Sequence, residues 1–589
     1  MRPGRWRSPP APQHGRSVKK IRGPAPGMVL ALCFHGPLVA WGLYRYSWDA
    51  ATHMFFADHY RHSWFSLWDP RWFGGFSVSS YPPLTHQLLA LVSVPVGYDA
   101  AFGLLLLATL VLFPVAVWGF AQVFVSPRAA TAAAMIAPLV PGVALASHAF
   151  GQLPTVVALT LALFLVGGFA RFVERGGALR FGSVVALSGT VFAAHHATAL
   201  FFLASALLAA SATLLPGSAP RALPIRLRRI ILAAIGCGLA GAIVVLPFWL
   251  WARSGIPDAF IPHNSRSDFL RDLNAQALYL WGIYGLIPAL AFYGFWRRHD
   301  RRTAPVAVLA GVMGVLGLGG STPLPSLVFG REWEWLTYDR FALWGAVAML
   351  PLAGIAIGHL LTVRVAAARV LAIASLAGIL FYAGAGAVTS LLGPALPYQR
   401  DLQPIAQFMN NGRTAWRYQT FGVGDPGARL GIATLATTID GTYYTARRLP
   451  VLAQSGIGML DAALWWDPSG VALRRALAVA DRYSIRWAFV LDAHYDPYLK
   501  AAGFTPQAPL PGGIEVWENP SAPRLPEAAL RFGEPDVQGI LWGTLPLACF
   551  ALVLLLAAVP SVAGRIESKR TRWTASTPSA LRAQAVGSR

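Results

Sequence analysis

Residues 101–125 read AFGLLLLATLVLFPVAVWGFAQVFV, an uninterrupted apolar run without a charged side chain. A helix needs about 20 such residues to cross the roughly 30 Å hydrocarbon layer of a bilayer. Lipid offers the backbone no hydrogen-bonding partners, so a run of this kind satisfies its own polar groups by forming a helix. The run therefore predicts a transmembrane helix, and with it the fold class of the chain.

Comparable runs recur along most of the 589 residues, which are 55% hydrophobic and only 13% charged. This composition is too apolar for soluble cores alone, so lipid is expected to be the main solvent. The sequence predicts a polytopic α-helical membrane protein with about 12 transmembrane helices. The expected spans are 28–46, 101–125, 129–147, 154–172, 181–195, 198–215, 230–252, 276–296, 304–320, 341–362, 370–392 and 538–562.

The net charge of +22 is distributed in the manner of a membrane protein. Basic residues gather in both terminal tails and in short clusters between apolar runs, which is the positive-inside pattern. Since no basic stripe interleaved with aromatic residues occurs on a soluble segment, nucleic acid is not expected as a partner. The pattern places both termini in the cytosol.

The apolar segment at residues 84–96 decides how the remaining loops are distributed. It is about half the length of a comfortable span and follows the helix-disfavouring pair Pro82-Pro83. If it crossed the membrane, the basic clusters at 171–180, 226–229 and 297–302 would all lie outside. If the segment is re-entrant or interfacial, all three clusters lie in the cytosol. The positive-inside bias, applied to the number of membrane crossings (charge parity), therefore favours that arrangement.

With this parity the chain divides into a membrane module between basic tails and one outer domain. Residues 393–537 contain thirteen Lys and Arg and thirteen Asp and Glu, a balance typical of a soluble domain. Strand patterns at 488–491 and 514–517 and a helical pattern at 471–483 predict a small α/β fold there. The predicted divisions are a basic tail 1–27, a transmembrane module 28–392 with outer loop 47–100, the extracytoplasmic domain 393–537, a last helix 538–562 and a basic tail 563–589.

The outer loop carries the most informative motifs of the chain. It reads WDAATHMFFADHY at 48–60, LWDPRWFGG at 67–75 and YPPL at 81–84. In this loop the chain resembles the C-type (GT-C) superfamily of polyprenyl-phosphate-sugar-dependent glycosyltransferases. The shared features are an acidic residue just outside the first helix, an amphipathic stretch, a Trp-Asp-Pro and Gly-Gly turn and a Tyr-Pro-Pro re-entry. In layout the resemblance covers most of the membrane module, and in specific residues only this loop and the region near Arg340.

That resemblance implies an integral membrane enzyme in the bacterial cytoplasmic (inner) membrane. It would move a hexosyl or pentosyl group from a polyprenyl-phosphate donor to an extracytoplasmic glycan, lipid or protein acceptor. The chain also resembles bacterial membrane proteins catalogued as related to 6-pyruvoyl-tetrahydropterin synthase, through His195-His196 and the segment 338–341. That enzyme's activity is not carried over, because its three-histidine zinc spacing does not stand out here.

In the superfamily the first-loop acid deprotonates the acceptor or helps to hold a divalent metal, and Asp49 is the matching position. A carboxylate suits both tasks, so Mg²⁺ or Mn²⁺ is left open as a cofactor. If residues 49–60 are helical, His53 shares a face with Asp49 while Asp58 points nearly opposite, which makes Asp58 the weaker catalytic candidate. The alternative is that Asp49 only caps the helix beginning at Ala50.

Arg340 lies in the sequence Tyr338-Asp339-Arg340-Phe341 at the outer mouth of a predicted span. A late outer-loop arginine binds the donor phosphate in the superfamily, and a guanidinium can contact phosphate with two parallel hydrogen bonds. The alternative is an interfacial anchor or a salt bridge to Asp339 or Glu334.

Four further polar residues are candidates for substrate binding because they lie at outer helix ends or turns. Polar side chains at that depth normally face a cavity rather than lipid. These residues are His148, Gln152, His195 and His196. Satisfied interfacial histidines are the alternative, and the absence of a DxD motif leaves metal dependence open.

Two other classes of function remain open from the sequence: a transporter or flippase for a lipid or glycan intermediate, and a non-catalytic assembly subunit. Transporters carry polar groups near the bilayer midplane, often at broken helices. Here the ionisable residues crowd one membrane surface instead, which favours the glycosyltransferase.

Overall fold

The computed structural model describes residues 23–216, 220–253, 263–362, 365–396, 400–453 and 458–575. The first 22 residues of the predicted tail 1–27 and the last part of the tail 563–589, from residue 576, lie outside the described residues. Helices dominate the described chain. Those of eight or more residues are α1 (Ala25–Ala40), α2 (Ala50–His62), α3 (Leu84–Val96), α4 (Tyr98–Phe124), α5 (Pro127–Ile136), α6 (Leu153–Arg175), α7 (Ala178–Ala194), α8 (Ala204–Leu214), α9 (Leu223–Val244), α10 (Leu246–Arg253), α11 (Ile287–Arg297), α12 (Ala304–Leu316), α13 (Tyr338–Thr362), α14 (Ala366–Leu392), α15 (Gln403–Asn410) and α16 (Val537–Ala575).

Six of the described helices are long and apolar enough to cross a membrane: α4, α6, α9, α13, α14 and the first part of α16. Two bent pairs raise the number to eight if each pair is one span. The predicted count of 12 is therefore not confirmed. Four shorter apolar segments correspond to the rest of the predicted spans: Ala25–Ala40, Ala178–Ala194, Thr198–Leu214 and Ala304–Leu316.

The bent pairs have identifiable causes in the sequence. The run predicted at 129–147 breaks before Pro141, which cannot donate a backbone hydrogen bond, and its two halves meet at 46°. The run predicted at 276–296 breaks at Gly285, whose φ of 50° a residue with a side chain rarely adopts, and its halves meet at 48°. Broken helices of this kind are tolerated where neighbouring protein satisfies the freed backbone groups.

Helix α3 occupies the segment whose role decided the predicted parity. Its 13 residues rise only about 20 Å, less than the roughly 30 Å of hydrocarbon. Gly97, with φ 79° and ψ 166°, then turns the chain directly into α4. The length of α3 agrees with a segment that does not cross.

The outer loop and residues 400–536 form two small sheets. Strands β1 (Trp68–Asp69) and β2 (Phe76–Ser77) make an antiparallel pair within the loop. A four-stranded sheet follows in the order β3-β4-β6-β5, formed by β3 (Arg417–Phe421), β4 (Ile485–Val490), β5 (Thr505–Pro506) and β6 (Glu515–Glu518). Strands β3 and β4 are parallel, and the other pairs are antiparallel.

The segment 400–536 is packed directly onto the outer loop. One buried apolar cluster contains Phe55 and Trp72 of the loop together with Phe421 and Val490 of the sheet. Backbone hydrogen bonds join the two parts, from Gly74 N to Thr438 O at 2.9 Å and from Thr438 N to Arg71 O at 2.8 Å. The outer domain therefore covers the loop that carries the candidate acid.

The sidedness of this arrangement is tested by cysteine labelling in a variant without the three native cysteines. We expect Arg61→Cys and Lys500→Cys, both at exposed positions, to react with an impermeant maleimide in intact cells. Arg228→Cys and Arg297→Cys should react only after permeabilisation, because the positive-inside bias puts these basic helix ends in the cytosol. Labelling of Arg297→Cys but not of Lys500→Cys in intact cells would invert the topology.

Candidate functional site

Asp49 lies at the position immediately before α2, where the loop is held against the turn that precedes α6. Asp49 N donates to Phe150 O at 3.0 Å, and Trp48 N donates to Ala149 O at 3.2 Å. The close approach requires a glycine: Gly151 has φ 73°, and a Cβ there would lie 2.3 Å from Ser47 Oγ. The backbone position of Asp49 is thus fixed by packing, as a catalytic group requires.

The Asp49 carboxylate makes no capping hydrogen bond to α2, although the residue occupies the N-cap position. It is surrounded by protein yet keeps part of its surface accessible. Burial raises the pKa of this carboxyl to about 7; the Arg340 guanidinium opposes the rise, and Asp425 and Asp339 add to it. A carboxylate with a pKa near neutral is suited to accept a proton from a substrate.

Arg340 lies in the first turn of α13, within electrostatic range of Asp49 but not in an ion pair with it. Across the part of the chain that the structure describes, the Arg340 side chain forms no hydrogen bond or salt bridge, and its buried Nε has no partner. The guanidinium also lies at a helix N-terminus, where free backbone N–H groups favour an anion. Asp49 and Arg340 are thus oppositely charged groups that lie near each other without forming an ion pair.

The salt bridges proposed as the alternative role of Arg340 are not formed. Asp339 instead accepts a hydrogen bond from Gln152 Nε2 to its Oδ2 at 2.9 Å. The backbone carbonyl of Glu334 accepts a hydrogen bond from Arg266. Gln152 thus fixes the side chain of the residue that precedes Arg340.

His53 lies one turn after Asp49 on α2 and contacts a second histidine. Its Nδ1 is 3.0 Å from His86 Nε2, while its buried Nε2 has no partner among the described residues. Burial lowers the pKa of His53 to about 3, and the Arg340 cation lowers it further, so this imidazole is neutral. The Tyr81 ring packs against both histidines, with centroids 5.6 Å and 5.0 Å away.

The histidine pair at the end of α7, His195 and His196, lies on the same side of the helices as Asp49 and Arg340. His195 Nδ1 is 2.8 Å from Thr198 Oγ1, and its ring centroid lies 6.4 Å from that of Tyr81. His196 packs on Phe248 at 4.3 Å, and its Nδ1 has no partner in the described chain. Both histidines lie within electrostatic range of Arg340.

His148 is the predicted site residue that the structure draws away from this group. Its Nε2 lies 3.1 Å from Nδ1 of His35 on α1, and His35 Nε2 is 2.9 Å from Pro138 O. This buried pair joins α1 to the turn before α6. A role for His148 in binding substrate therefore has no geometric support.

Asp58 is also directed away from Asp49. Its carboxylate forms an ion pair with Arg71 and accepts a hydrogen bond from Tyr98 Oη at 2.6 Å. Arg71 donates in addition to Asp69 at 2.7 Å, and Asp69 Oδ2 lies 2.9 Å from His59 Nδ1. Both oxygens of Asp58 are occupied within this buried network, so the geometry supports Asp49 rather than Asp58 as the acid that faces substrate.

Two residues of the group were missed by sequence reasoning. His86 could have been found, because a histidine inside the short apolar helix α3 is unusual in lipid. Asp425, which contributes to the electrostatics of Asp49, comes from the outer domain, and only the folded chain brings it there. Tyr443 of the same domain packs on Tyr81 with ring centroids 5.0 Å apart.

A divalent metal at Asp49 was left open by the sequence. In the described ranges, no group of three or more His, Cys, Asp or Glu side chains is placed to hold a metal ion. The residues around Asp49 do not make a metal site by themselves, so we derive no step through a metal.

Comparison with known proteins places the chain in a family. The sequence profile of one family, described as a family of unknown function (DUF6541), matches residues 2–426. The chain belongs to the DUF6541 family. A comparison of this DUF6541 protein with curated proteins gives no match.

The fold of the DUF6541 protein is similar to that of solved GT-C glycosyltransferases. Arabinofuranosyltransferase AftD from Mycobacteria has a TM-score of 0.55 at 14% identity, with 85% of this chain and 42% of that chain covered. ArnT from Cupriavidus metallidurans in the apo state has a TM-score of 0.51 at 12% identity, with 85% and 100% covered. The oligosaccharyltransferase of Archaeoglobus fulgidus has a TM-score of 0.49 at 13% identity, with 81% and 70% covered.

The matches to AftD and ArnT confirm the GT-C resemblance of the DUF6541 protein at the level of the fold. The resemblance to proteins related to 6-pyruvoyl-tetrahydropterin synthase is not confirmed by any of them.

Proposed function

We propose that this protein is a membrane glycosyltransferase that moves a sugar from a polyprenyl-phosphate donor to an acceptor outside the cytoplasmic membrane. One observation carries the proposal: the Asp49 carboxylate and the Arg340 guanidinium lie in one enclosed group without touching each other. A base and a phosphate-binding cation are the two charges that this reaction needs on one membrane face.

Asp49 accepts the proton of an acceptor hydroxyl as its oxygen attacks the anomeric carbon of the donor sugar. A glycosidic bond forms while the bond between that carbon and the phosphate oxygen breaks. The electron pair of the broken bond leaves with polyprenyl phosphate. Arg340 and the N-terminus of α13 stabilise this added negative charge, because both are positive and already in place.

Neutral polar groups around the two charges are suited to the sugar. His53 Nε2 and His196 Nδ1 are buried without partners among the described residues, so hydroxyls of a bound sugar would satisfy them. Tyr81 and Tyr443 form an aromatic surface above the histidines. The outer domain excludes water from the reacting atoms, which favours transfer to an acceptor over hydrolysis.

The nature of the carrier is supported by one structural neighbour. ArnT from Cupriavidus metallidurans, which shares the fold, has also been solved with undecaprenyl phosphate. We therefore propose undecaprenyl phosphate as the carrier and the bacterial inner membrane as the location. The polar group lies at helix ends rather than at the bilayer midplane, an arrangement that does not favour a transporter or flippase.

The experiment uses the purified protein in nanodiscs with a panel of undecaprenyl-phosphate sugars and a membrane acceptor extract. We expect one donor of the panel to be consumed, with release of undecaprenyl phosphate and labelling of a product in the extract. A donor that moves between leaflets of a vesicle without being consumed would support a flippase instead.

The rate should depend on pH through Asp49. The base must be deprotonated, so kcat/KM should rise about tenfold per pH unit below pH 7 and level off above it, because burial raises the pKa of Asp49 to about 7. Arg340→Gln should shift the midpoint upward, since the Arg340 cation holds that pKa down. A flat profile between pH 5 and about 8 would contradict the role of Asp49 as base.

A further inference from the structure

A second polar cavity lies at the other end of the helix bundle. It has a volume of about 580 Å³ and lies between the C-terminal ends of α4 and α6 and the start of α9. Five arginines and one glutamate line it: Arg171, Arg175, Arg226, Arg301, Arg302 and Glu174. The cavity is therefore strongly positive.

This cavity is remote from the candidate site. Gln152 precedes the first residue of α6, whereas Arg171 and Arg175 lie in its last two turns. A helix of 23 residues rises about 35 Å, so the two sites occupy opposite membrane faces. Nothing in the proposed sugar transfer uses these arginines.

Two of the five arginines donate hydrogen bonds to backbone carbonyls of the cavity wall, and the other three do not. Arg302 donates to Val123 O at 3.0 Å and to Gln122 O at 2.6 Å, and Arg226 donates to Leu214 O at 2.7 Å. Throughout the described ranges, no hydrogen bond or ion pair is formed by the side chains of the other three. These are Arg171, Arg175 and Arg301. Arg171 and Arg175 lie within electrostatic range of each other, and an anion bound in the cavity would offset their repulsion.

An apolar groove lies next to this cavity. It has a volume of about 480 Å³ and runs between α8 and α12. Leu208 on one wall is 71% exposed and Val308 on the other is 64% exposed, so the groove opens towards lipid. The groove and the cavity are adjacent along both walls: Ala212 lines the groove and Thr213 the cavity, and Arg302 lines the cavity two residues before Ala304 in the groove.

We propose that the cavity and the groove together bind a membrane lipid with a phosphate headgroup. The phosphate lies among Arg171, Arg175 and Arg301, and one hydrocarbon chain lies between α8 and α12. Guanidinium groups bind phosphate oxygens with paired, charge-assisted hydrogen bonds, and basic pockets between transmembrane helices are a recurrent site for anionic headgroups. A soluble anion would use the cavity but would gain nothing from the exposed apolar groove.

The test measures lipid binding by native mass spectrometry, with cardiolipin and inorganic phosphate as probes and the full-length protein in detergent. The variant Arg171→Gln/Arg175→Gln/Arg301→Gln removes the three unpaired charges. The control Arg128→Gln/Arg228→Gln/Arg297→Gln removes three exposed charges at the same helix ends but outside the cavity lining. We expect cardiolipin affinity to fall about a hundredfold in the first variant, at about fivefold per guanidinium, and less than about threefold in the control.

A second pair of variants tests the groove. Leu208→Trp fills it, whereas Phe292→Trp changes an equally exposed position on α11 that is outside it. Leu208→Trp should weaken cardiolipin binding without changing the binding of inorganic phosphate, and Phe292→Trp should change neither. If the cavity variant and its control lose cardiolipin affinity equally, the effect comes from general surface charge and the proposed site is wrong. If Leu208→Trp binds cardiolipin as tightly as the wild type, and inorganic phosphate displaces that cardiolipin, the cavity is a site for soluble anions. That result would overturn the lipid proposal.

Discussion

The variant Asp49→Asn is expected to lose sugar transfer by about a hundredfold to ten-thousandfold while remaining inserted and folded and still binding donor. The amide has nearly the shape of the carboxylate, but it cannot accept the acceptor proton. Since Asp49 makes no capping hydrogen bond, the structure gives the substitution little to disturb in α2. The measurement is kcat/KM for release of polyprenyl phosphate, with donor affinity and thermal stability recorded in parallel.

Two control variants separate catalysis from folding. Asp99 is a partly exposed acid at the start of α4 that pairs with Arg429 at 3.1 Å, so Asp99→Asn should keep near-normal transfer and lose at most about 1 kcal/mol of stability. Asp58→Asn leaves the buried Arg71 short of a partner, and it should destabilise the protein by about 3–5 kcal/mol. Loss of turnover in a well-folded Asp58→Asn protein, with Asp49→Asn still active, would transfer the catalytic role to Asp58.

The variant Arg340→Lys should weaken donor binding by at least about tenfold although the charge is kept. Lysine presents a point charge and loses the planar two-pronged contact with phosphate. Because the same guanidinium holds the leaving phosphate, inhibition by free undecaprenyl phosphate should weaken by a similar factor. Inhibition by the uncharged undecaprenol should not change.

The matched control for this variant is Arg331→Lys, an exposed arginine in the same outer segment. It should leave both donor and product affinities unchanged. If Arg340→Lys binds donor as tightly as the control, Arg340 is an interfacial anchor and the phosphate lies elsewhere.

The sequence predicted several members of the polar group around Asp49 from positions that are far apart along the chain. Asp49, Gln152, His195 and Arg340 are separated by long stretches of chain, yet the loop pattern and charge parity assigned them to one membrane face. The structure places them within one polar group. Because each crossing reverses the side, the prediction that α3 does not cross fixes the predicted side of every later loop.

The number of spans is not confirmed, in part because apolar content does not report where a helix breaks. Pro141 and Gly285 each divide an apolar run into two bent halves, and both residues look unremarkable within their runs. Similarly, His148 resembles a site residue by position, but its contact with His35 depends on how α1 packs, which no local pattern encodes. The approach of Asp425 to Asp49 depends on docking of the outer domain and is non-local for the same reason.

The most direct test of the central claim compares the wild-type protein with Asp49→Asn in proteoliposomes that contain a labelled undecaprenyl-phosphate sugar and an acceptor extract. The wild-type protein should release undecaprenyl phosphate and label a product, and Asp49→Asn should bind the donor but release at least about a hundredfold less. Equal release by the two proteins, or no consumption of any donor by the wild type, would contradict the assignment of this site as a glycosyltransferase centre.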